Sequence, residues 1–265
     1  MDKNENLAAA SDLDSLSHGD ADAGNMIYLS DLAWEHFELN SDDGSIVTNR
    51  EHLPILEEAE RFNGSLENKK ILELGAYEGY YSLSLERKYN VAQVLAIEGN
   101  PRNFLKCCSV KNYFQLNKTK FLLGDCADYL KDCSEQYDVI LATGILYHLF
   151  DPIIALENIC RLTNVILIDT TYYHPDESLQ AFKFTGNTKE IQIEGMEGAV
   201  LHERINPTST LGKKHGMNTF AWMFDLPTLT RYLTVKGFDY KLTEQIEKSR
   251  PHRLRARLVA QKIEC

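Results

Sequence analysis

The residues whose types and spacing could do chemistry begin at a glycine turn. The segment ILELGAYEGYYS at 71–82 reads as a buried strand, a turn with Gly75 and Gly79, and the start of a helix. Glycines let a backbone adopt positive φ and approach a ligand closely. The GxxxG spacing differs from the GxGxxG of dinucleotide-binding folds and lacks the Lys-Ser/Thr pair of a P-loop. A role in cradling phosphates is therefore disfavoured.

Two glutamates accompany this turn. Glu73 precedes it, where a carboxylate would repel pyrophosphate but attract a cation or an amine. Glu98, in AIEGNP, ends the next predicted strand about 20 residues after Gly75, where a carboxylate accepts hydrogen bonds from both ribose hydroxyls of an adenosine. The turn and the second acid, in this order on consecutive strands, favour an adenosyl ligand over a purely structural turn.

Alternating strands and helices must position these residues. Apolar segments of strand length occur at 69–75, 93–99, 120–125, 138–144 and 164–169, and helical patterns lie near 79–90, 101–116, 126–133 and 152–162. Strands that are apolar on both faces and separated by helices indicate a parallel sheet covered on both sides. The predicted fold class is therefore α/β, a doubly wound and mostly parallel sheet. A helix near 226–236 and an antiparallel pair of strands close it.

The chain is expected to divide into three parts. Residues 1–25 have few large apolar groups and are predicted to be disordered. Residues 26–68 are predicted to form an N-terminal extension, and residues 69–265 the main domain. An insertion at 171–218 is too long for a simple crossover, and its place after the fifth strand predicts a lid over the ligand.

Composition limits the function classes. The net charge of −11 arises from residues 1–70, because residues 71–265 carry equal numbers of acidic and basic side chains. This distribution predicts no broad basic surface for binding nucleic acid. The six cysteines form no CxxC pair, and the eight histidines form no HxxxH or HxH pair, so reduced thiols and no metal site are predicted. No apolar run is long enough to span a membrane and the N-terminus is acidic, so a cytoplasmic protein is predicted, of open oligomeric state.

Four segments resemble, in order, the motifs of class I S-adenosylmethionine-dependent methyltransferases: ELGAYEG, AIEGNP, LLGDCADYL and YDVILATGILYHLFDP. The resemblance covers residues 69–170 well and the C-terminal part more loosely. It implies a Rossmann-like, seven-strand-type fold with S-adenosylmethionine as cofactor. Glu73, Gly75 and Gly79 would hold the methionine part. The complete implied cofactor set is Glu73, Gly75, Ala76, Tyr77, Gly79, Glu98, Gly99, Asn100, Asp125, Cys126, Thr143 and Gly144.

Other segments resemble a narrower subset. GILYHLFDP and FAWMFDLPTLTRYLTVKGFDY are similar to stretches of a subset that includes the tRNA wobble-uridine carboxymethyltransferase. The stretch WEHFELNSDDGSIVTNREHLPIL is similar to the leader of related small-molecule methyltransferase-like proteins. The carboxymethyltransferase uses lysines ahead of its first motif to hold a carboxylated cofactor, and none occurs here between Lys3 and Lys69. Ordinary S-adenosylmethionine is therefore predicted.

Methyl transfer requires alignment, a dry pocket and, for a protonated nucleophile, a base. Tyr147 and His148 follow the fourth strand and are the predicted catalytic pair; His148 is either the general base or a residue that orients the loop. Candidate substrate contacts are Trp34, Tyr173, His174, His215 and Trp222.

The predicted function is methyl transfer to an oxygen, nitrogen or carbon of a small molecule. One alternative is tRNA modification, which a basic patch formed by Lys213, Lys214 and residues 248–257 would support. A second alternative is a non-catalytic module that binds the cofactor and regulates a partner.

Overall fold

Seven strands form the central sheet of the computed structural model, which describes residues 32, 34–40, 45–48, 53–180, 182–205, 219–246 and 254–263. Numbered with the whole chain, they are β3 (Lys70–Leu74), β4 (Gln93–Glu98), β5 (Thr119–Leu123), β6 (Val139–Thr143), β7 (Val165–Thr171), β11 (Phe238–Ile246) and β12 (Leu254–Lys262). Their order is β11-β12-β7-β6-β3-β4-β5. The strands β3 to β7 are parallel, and β12 is antiparallel to both of its neighbours. The predicted fold class is confirmed.

Helices connect these strands and cover both faces. They are α1 (Pro54–Asn63), α2 (Tyr80–Arg87), α3 (Pro101–Tyr113), α4 (Cys126–Asp132), α5 (Pro152–Leu162) and α6 (Leu226–Val235), with 3₁₀ turns at Leu146–His148 and Glu177–Leu179. A short hairpin, β1 (Phe37–Leu39) and β2 (Ile46–Thr48), precedes α1. Among the described residues, no helix is both long and apolar enough to cross a membrane.

Capping residues fix where four helices begin. Asn100, Asp125, Asp151 and Asp225 each accept a hydrogen bond from a backbone N–H of the following first turn. Such side chains satisfy N–H groups that have no partner within the helix. Asn100 follows the end of β4 and Asp125 the end of β5 by two residues each. The residue between each strand and its cap therefore lies at the edge of the sheet.

Alternation along the strands builds two cores. Leu72 and Leu74 of β3 belong to the apolar cluster that includes Leu156 of α5, whereas Ile71 belongs to the cluster that includes Ile55 of α1. Successive strand residues point to opposite faces, so each strand contributes to both clusters. The sheet is therefore buried on both sides, and the carboxyl ends of β3 to β7 form an edge where a ligand can bind.

A second sheet follows β7. Its antiparallel strands are β8 (Phe184–Glu190), β9 (Val200–Ile205) and β10 (Phe220–Phe224), in the order β10-β9-β8, and we call it the cover sheet. Two of these strands fall within the predicted insertion 171–218, and β10 lies just beyond it. Residues 1–25 and 206–218 are outside the described residues, so the predicted disorder and domain bounds stay predictions.

Candidate functional site

The glycine turn lies between the ends of β3 and β4. The N–H groups of Gly75 and Ala76 both donate to the carbonyl of Ile97, at 2.9 and 3.0 Å. Gly75 and Gly79 have φ of +76° and +79°, and Tyr77 has a φ of +55° that is uncommon for a residue with a side chain. A Cβ on Gly75 would stand 3.2 Å from Cδ1 of Ile145. The conformation at Gly75 therefore favours glycine, and a side chain there would also crowd Ile145.

Glu73 places a buried carboxyl group directly before this turn. Its side chain is 0% exposed, its Oε2 accepts a hydrogen bond from the Ser82 hydroxyl, and its Oε1 has no partner among the described residues. Burial raises the pKa of Glu73 to about 8, partly offset by the Ser82 bond, and the charge of Glu98 adds to the increase. A buried carboxyl oxygen without a partner fits a cationic or amine-bearing ligand in the turn.

Glu98 ends β4 facing the same turn. Its Oε2 accepts from the N–H of Tyr77 and its Oε1 from the N–H of Asn100, both at 2.7 Å. Burial raises the pKa of Glu98, whereas these two bonds lower it. Each oxygen of a carboxylate has a second lone pair. Glu98 is therefore held in place by the backbone and can still accept bonds from a diol.

The other predicted cofactor residues lie at the neighbouring strand ends. The N–H of Gly124 donates to the carbonyl of Glu98 at 3.0 Å, and Asp125 caps α4 through the N–H of Ala127 at 2.8 Å. Burial raises the pKa of Cys126 to about 12, so its thiol is neutral. Gly99 lies between Glu98 and Asn100. Thr143 is the last residue of β6, and Gly144 follows it with a φ of +74°.

The predicted catalytic pair lies in the 3₁₀ turn after β6. Tyr147 is buried, with its ring 4.4 Å from that of His148 and stacked at 5.5 Å on Phe182. The guanidinium of Arg204, on β9, lies 3.7 Å from the Phe182 ring centre and 5.6 Å from that of Tyr147. The cover sheet therefore brings a fully buried cation to the predicted transfer site, which the sequence did not reveal.

Tyr173 meets a histidine that the sequence reading missed. Its ring stacks on His202 with 3.5 Å between centroids and an interplanar angle of 8°. The Nε2 of His202 lies 3.9 Å from Oδ2 of Asp225. Partial burial raises the pKa of the Asp225 carboxyl, but the nearby His202 and the hydrogen bond that it accepts from Thr228 outweigh this effect and keep the pKa below the usual value. No spacing rule links these three residues, which come from separate segments.

The remaining predicted substrate contacts are dispersed. The ammonium of Lys106 lies 5.4 Å from the ring centre of Trp34, and the same ammonium lies 5.3 Å from that of Tyr77 in the glycine turn. His174 accepts the N–H of Asp176 through Nδ1 at 3.1 Å within its own loop. The backbone of Trp222 donates to the carbonyl of Leu149 at 3.2 Å, which joins β10 to the turn after β6. His215 lies outside the described residues.

A second missed cluster lies at the end of β7. Oδ1 of Asp169 contacts Nε and Nη2 of Arg255 at 2.7 Å each, and its Oδ2 lies 3.4 Å from Nε of Arg257. Both arginines are on β12, and their side chains are 19% and 13% exposed. The two described arginines of the run 248–257 are therefore largely engaged in an ion-pair cluster. Lys213, Lys214 and residues 248–253 are outside the described residues.

In the part of the chain that the structure describes, no group of three His, Cys, Asp or Glu side chains is arranged to hold a metal ion.

Comparisons with known proteins relate this architecture to a family. A family model described as a methyltransferase domain matches residues 65–219. Two curated relatives named tRNA U34 carboxymethyltransferase, from Campylobacter hominis and Helicobacter hepaticus, are 26% and 30% identical over 120 and 122 residues. These matches cover 44% and 43% of this chain and 41% and 39% of the relatives. The chain thus matches less than half the length of these relatives.

A crystal structure of the N-terminal domain of EvdMO1, in the presence of SAH and D-fucose, has a similar fold. The TM-score is 0.61 at 19% sequence identity, and the likeness covers 89% of this chain and 93% of that one.

Proposed function

This chain belongs to the methyltransferase-domain family, and we propose that it transfers a methyl group from S-adenosylmethionine to a small-molecule acceptor. The enzyme class and the cofactor predicted from the sequence are confirmed at the level of the family. The acceptor, the roles of individual residues and a cytoplasmic location remain proposals.

The cofactor is proposed to lie across the ends of β3, β4 and β6. Glu73 and the glycine turn would hold its methionine part, Glu98 the ribose, and Asp125 with Cys126 the adenine. The buried Glu73 oxygen without a partner supports this assignment, because it suits a positively charged ligand. S-adenosylmethionine supplies a methyl group on a sulfonium, which makes that carbon electrophilic.

The acceptor is proposed to lie where the cover sheet meets the ends of β6 and β7. The observation that carries a small acceptor is the enclosure of Tyr147 by Phe182 and Arg204. The N–H of Tyr173 donates to the carbonyl of Phe224 at 2.8 Å, and Trp222 of β10 donates to the carbonyl of Leu149, so β10 is bonded to the segments that would line the proposed acceptor site. A site covered in this way excludes water and has little room for a polynucleotide.

The residues around the proposed acceptor would align it and remove a proton. Tyr147 can contact the acceptor, and Arg204 with Phe182 can hold the Tyr147 ring in place. His148 can take a proton from an oxygen or nitrogen nucleophile, since an imidazole titrates near neutral pH. His202 is a second imidazole, stacked on Tyr173, and its Nε2 lies 3.9 Å from Oδ2 of Asp225.

The size of the acceptor can be tested by fractionation. A cell extract is separated into metabolites below about 3 kDa and purified total tRNA, a cutoff far above typical cofactor-sized ligands. Each fraction is incubated with the protein and S-adenosylmethionine, and S-adenosylhomocysteine is measured by mass spectrometry. We expect product with the metabolite fraction, insensitive to ribonuclease. Product only with tRNA, lost after ribonuclease treatment, would contradict the proposal.

A tRNA acceptor is the second candidate. It is favoured by the two relatives named tRNA U34 carboxymethyltransferase, although these matches cover only 44% and 43% of this chain. The engagement of Arg255 and Arg257 with Asp169 weighs against it, because those cations are not displayed on an open surface.

A further inference from the structure

A buried carboxylate joins the N-terminal segment Trp34–Phe37 to the glycine turn. Glu78 is 0% exposed, and its side chain accepts the backbone N–H of Glu35 at 2.9 Å and of His36 at 2.7 Å. The ammonium of Lys106, on α3, donates to it at 2.9 Å and is itself only 4% exposed. One side chain of the turn therefore bonds to two other parts of the chain.

The same cluster reaches the proposed ribose site. Tyr77, next to Glu78, donates its N–H to Glu98, and its ring lies 5.5 Å from His36 and 5.3 Å from Lys106. The charge of Lys106 also lowers the pKa of Glu98. Tyr77 thus contacts both His36 of the N-terminal segment and Glu98, so a change in that segment would reach Glu98 through Tyr77.

A purely structural role would not require ions here. Burying a carboxylate and an ammonium costs free energy, and apolar residues of similar size often stabilise a fold as well or better. Tyr77 also adopts a φ of +55°, which needs support from its surroundings, and Sγ of Cys107 donates to its carbonyl at 3.3 Å. The ion pair and the N–H bonds define the turn's shape rather than filling space.

We infer that Glu78 is a positioning residue that makes the segment Trp34–Phe37 part of the cofactor site, so that seating this segment and binding the cofactor are coupled. Trp34 thereby lies near the cofactor turn, where its ring faces the ammonium of Lys106. The inference rests on the proposed cofactor site and adds a residue and a segment to it.

Binding of S-adenosylhomocysteine to the full chain tests this coupling. The chain has two tryptophans, so the variant Trp222→Phe leaves Trp34 as the only one. In that background we expect S-adenosylhomocysteine to change the Trp34 emission. Glu78→Gln should weaken binding, measured by calorimetry, by about tenfold, because it removes a charged hydrogen-bond acceptor, and should diminish the emission change.

Glu86→Gln is the matched control. Glu86 lies in α2, the helix that follows the turn of Glu78, and it also holds two donors, the N–H of Asn117 and the hydroxyl of Thr119, both at 2.7 Å. These donors lie at the opposite end of the sheet. This variant should bind S-adenosylhomocysteine within about twofold of the parent, as expected for a substitution away from the site. If Glu78→Gln does not fold, the double variant Glu78→Gln/Lys106→Met replaces it, because it leaves no unpaired buried charge. Its binding of S-adenosylhomocysteine and its Trp34 emission are then measured in the same way.

The outcomes separate the two proposals. No binding of S-adenosylhomocysteine by the parent chain would overturn the proposed function. If the parent chain binds S-adenosylhomocysteine but the Glu78 variants bind it equally well, only the coupling is overturned. The same holds if binding does not change the Trp34 emission.

Discussion

At the scale of single residues, Glu73 makes the stability of the free protein depend on pH. Burial raises the pKa of its carboxyl from 4.5 to about 8 in the folded chain. The folded state therefore retains a proton that the unfolded state has lost between these pH values. The stabilising contribution is complete below pH 4.5 and is lost as the pH rises through about 8.

The prediction is a free energy of unfolding that falls between pH 5 and 8, by at most about 1.4 kcal/mol per pH unit from this residue. Glu73→Gln keeps a neutral side chain of similar shape and should flatten that part of the profile, measured by urea denaturation. Glu86→Gln, whose carboxylate is half-buried, serves as the control. A profile that is equally steep in Glu73→Gln would refute the assignment of the raised pKa.

The sequence predicted those residues whose role follows from local spacing. Glu73, Gly75 and Glu98 stand at fixed positions relative to strand ends, and the structure places them at one edge. Glu78 lies in the same segment, 71–82, but its partners are residues 35, 36 and 106, which no local pattern relates to it. His202 and Asp225 were missed for the same reason, because their proximity depends on the cover sheet.

At the scale of elements, the parallel core was predictable and the additions to it were not. Apolar strands, glycines and helix caps recur between 69 and 170 at short range, so each βα unit can be read separately. The cover sheet pairs strands across a long connection, and β8 is exposed along most of its length, so it lacks a clear apolar alternation. The predicted insertion, 171–218, therefore ended before the third strand of this sheet, β10.

The pairing of β7 with β12 offers a prediction about an element. Asp169→Asn would leave Arg255 and Arg257 side by side without their shared carboxylate. Because these groups are largely but not fully buried, we expect a loss of about 1 to 3 kcal/mol in the free energy of unfolding, measured with urea.

Asp138→Asn provides the comparison for this prediction, since Asp138 forms an exposed pair with Lys69 at 3.7 Å at the opposite edge of the same sheet. That change should cost less than about 1 kcal/mol. Equal losses in the two variants would mean that the Asp169 cluster does not stabilise the strand pair.

At the scale of the whole molecule, a ligand that binds only the folded chain must raise its unfolding temperature. The proposed cofactor site draws residues from β3, β4, β5 and β6, so it exists only when the central sheet is formed. At a ligand concentration 100 times Kd the stabilisation is about 2.7 kcal/mol. For a chain of this size that corresponds to an increase in Tm of about 5 to 10 °C.

We therefore expect S-adenosylhomocysteine to raise the Tm of the parent chain by this amount in differential scanning calorimetry. Gly75→Arg should abolish the increase, because a φ of +76° strains any residue with a side chain and its Cβ would crowd Ile145 at 3.2 Å, and Glu98→Ala should reduce it. Gly64→Arg is the control, since Gly64 also has positive φ, +86°, but a Cβ there meets nothing within 4 Å. It should lower the Tm of the free protein through backbone strain and still show the increase with ligand. A full increase in Gly75→Arg would place the ligand elsewhere in the molecule.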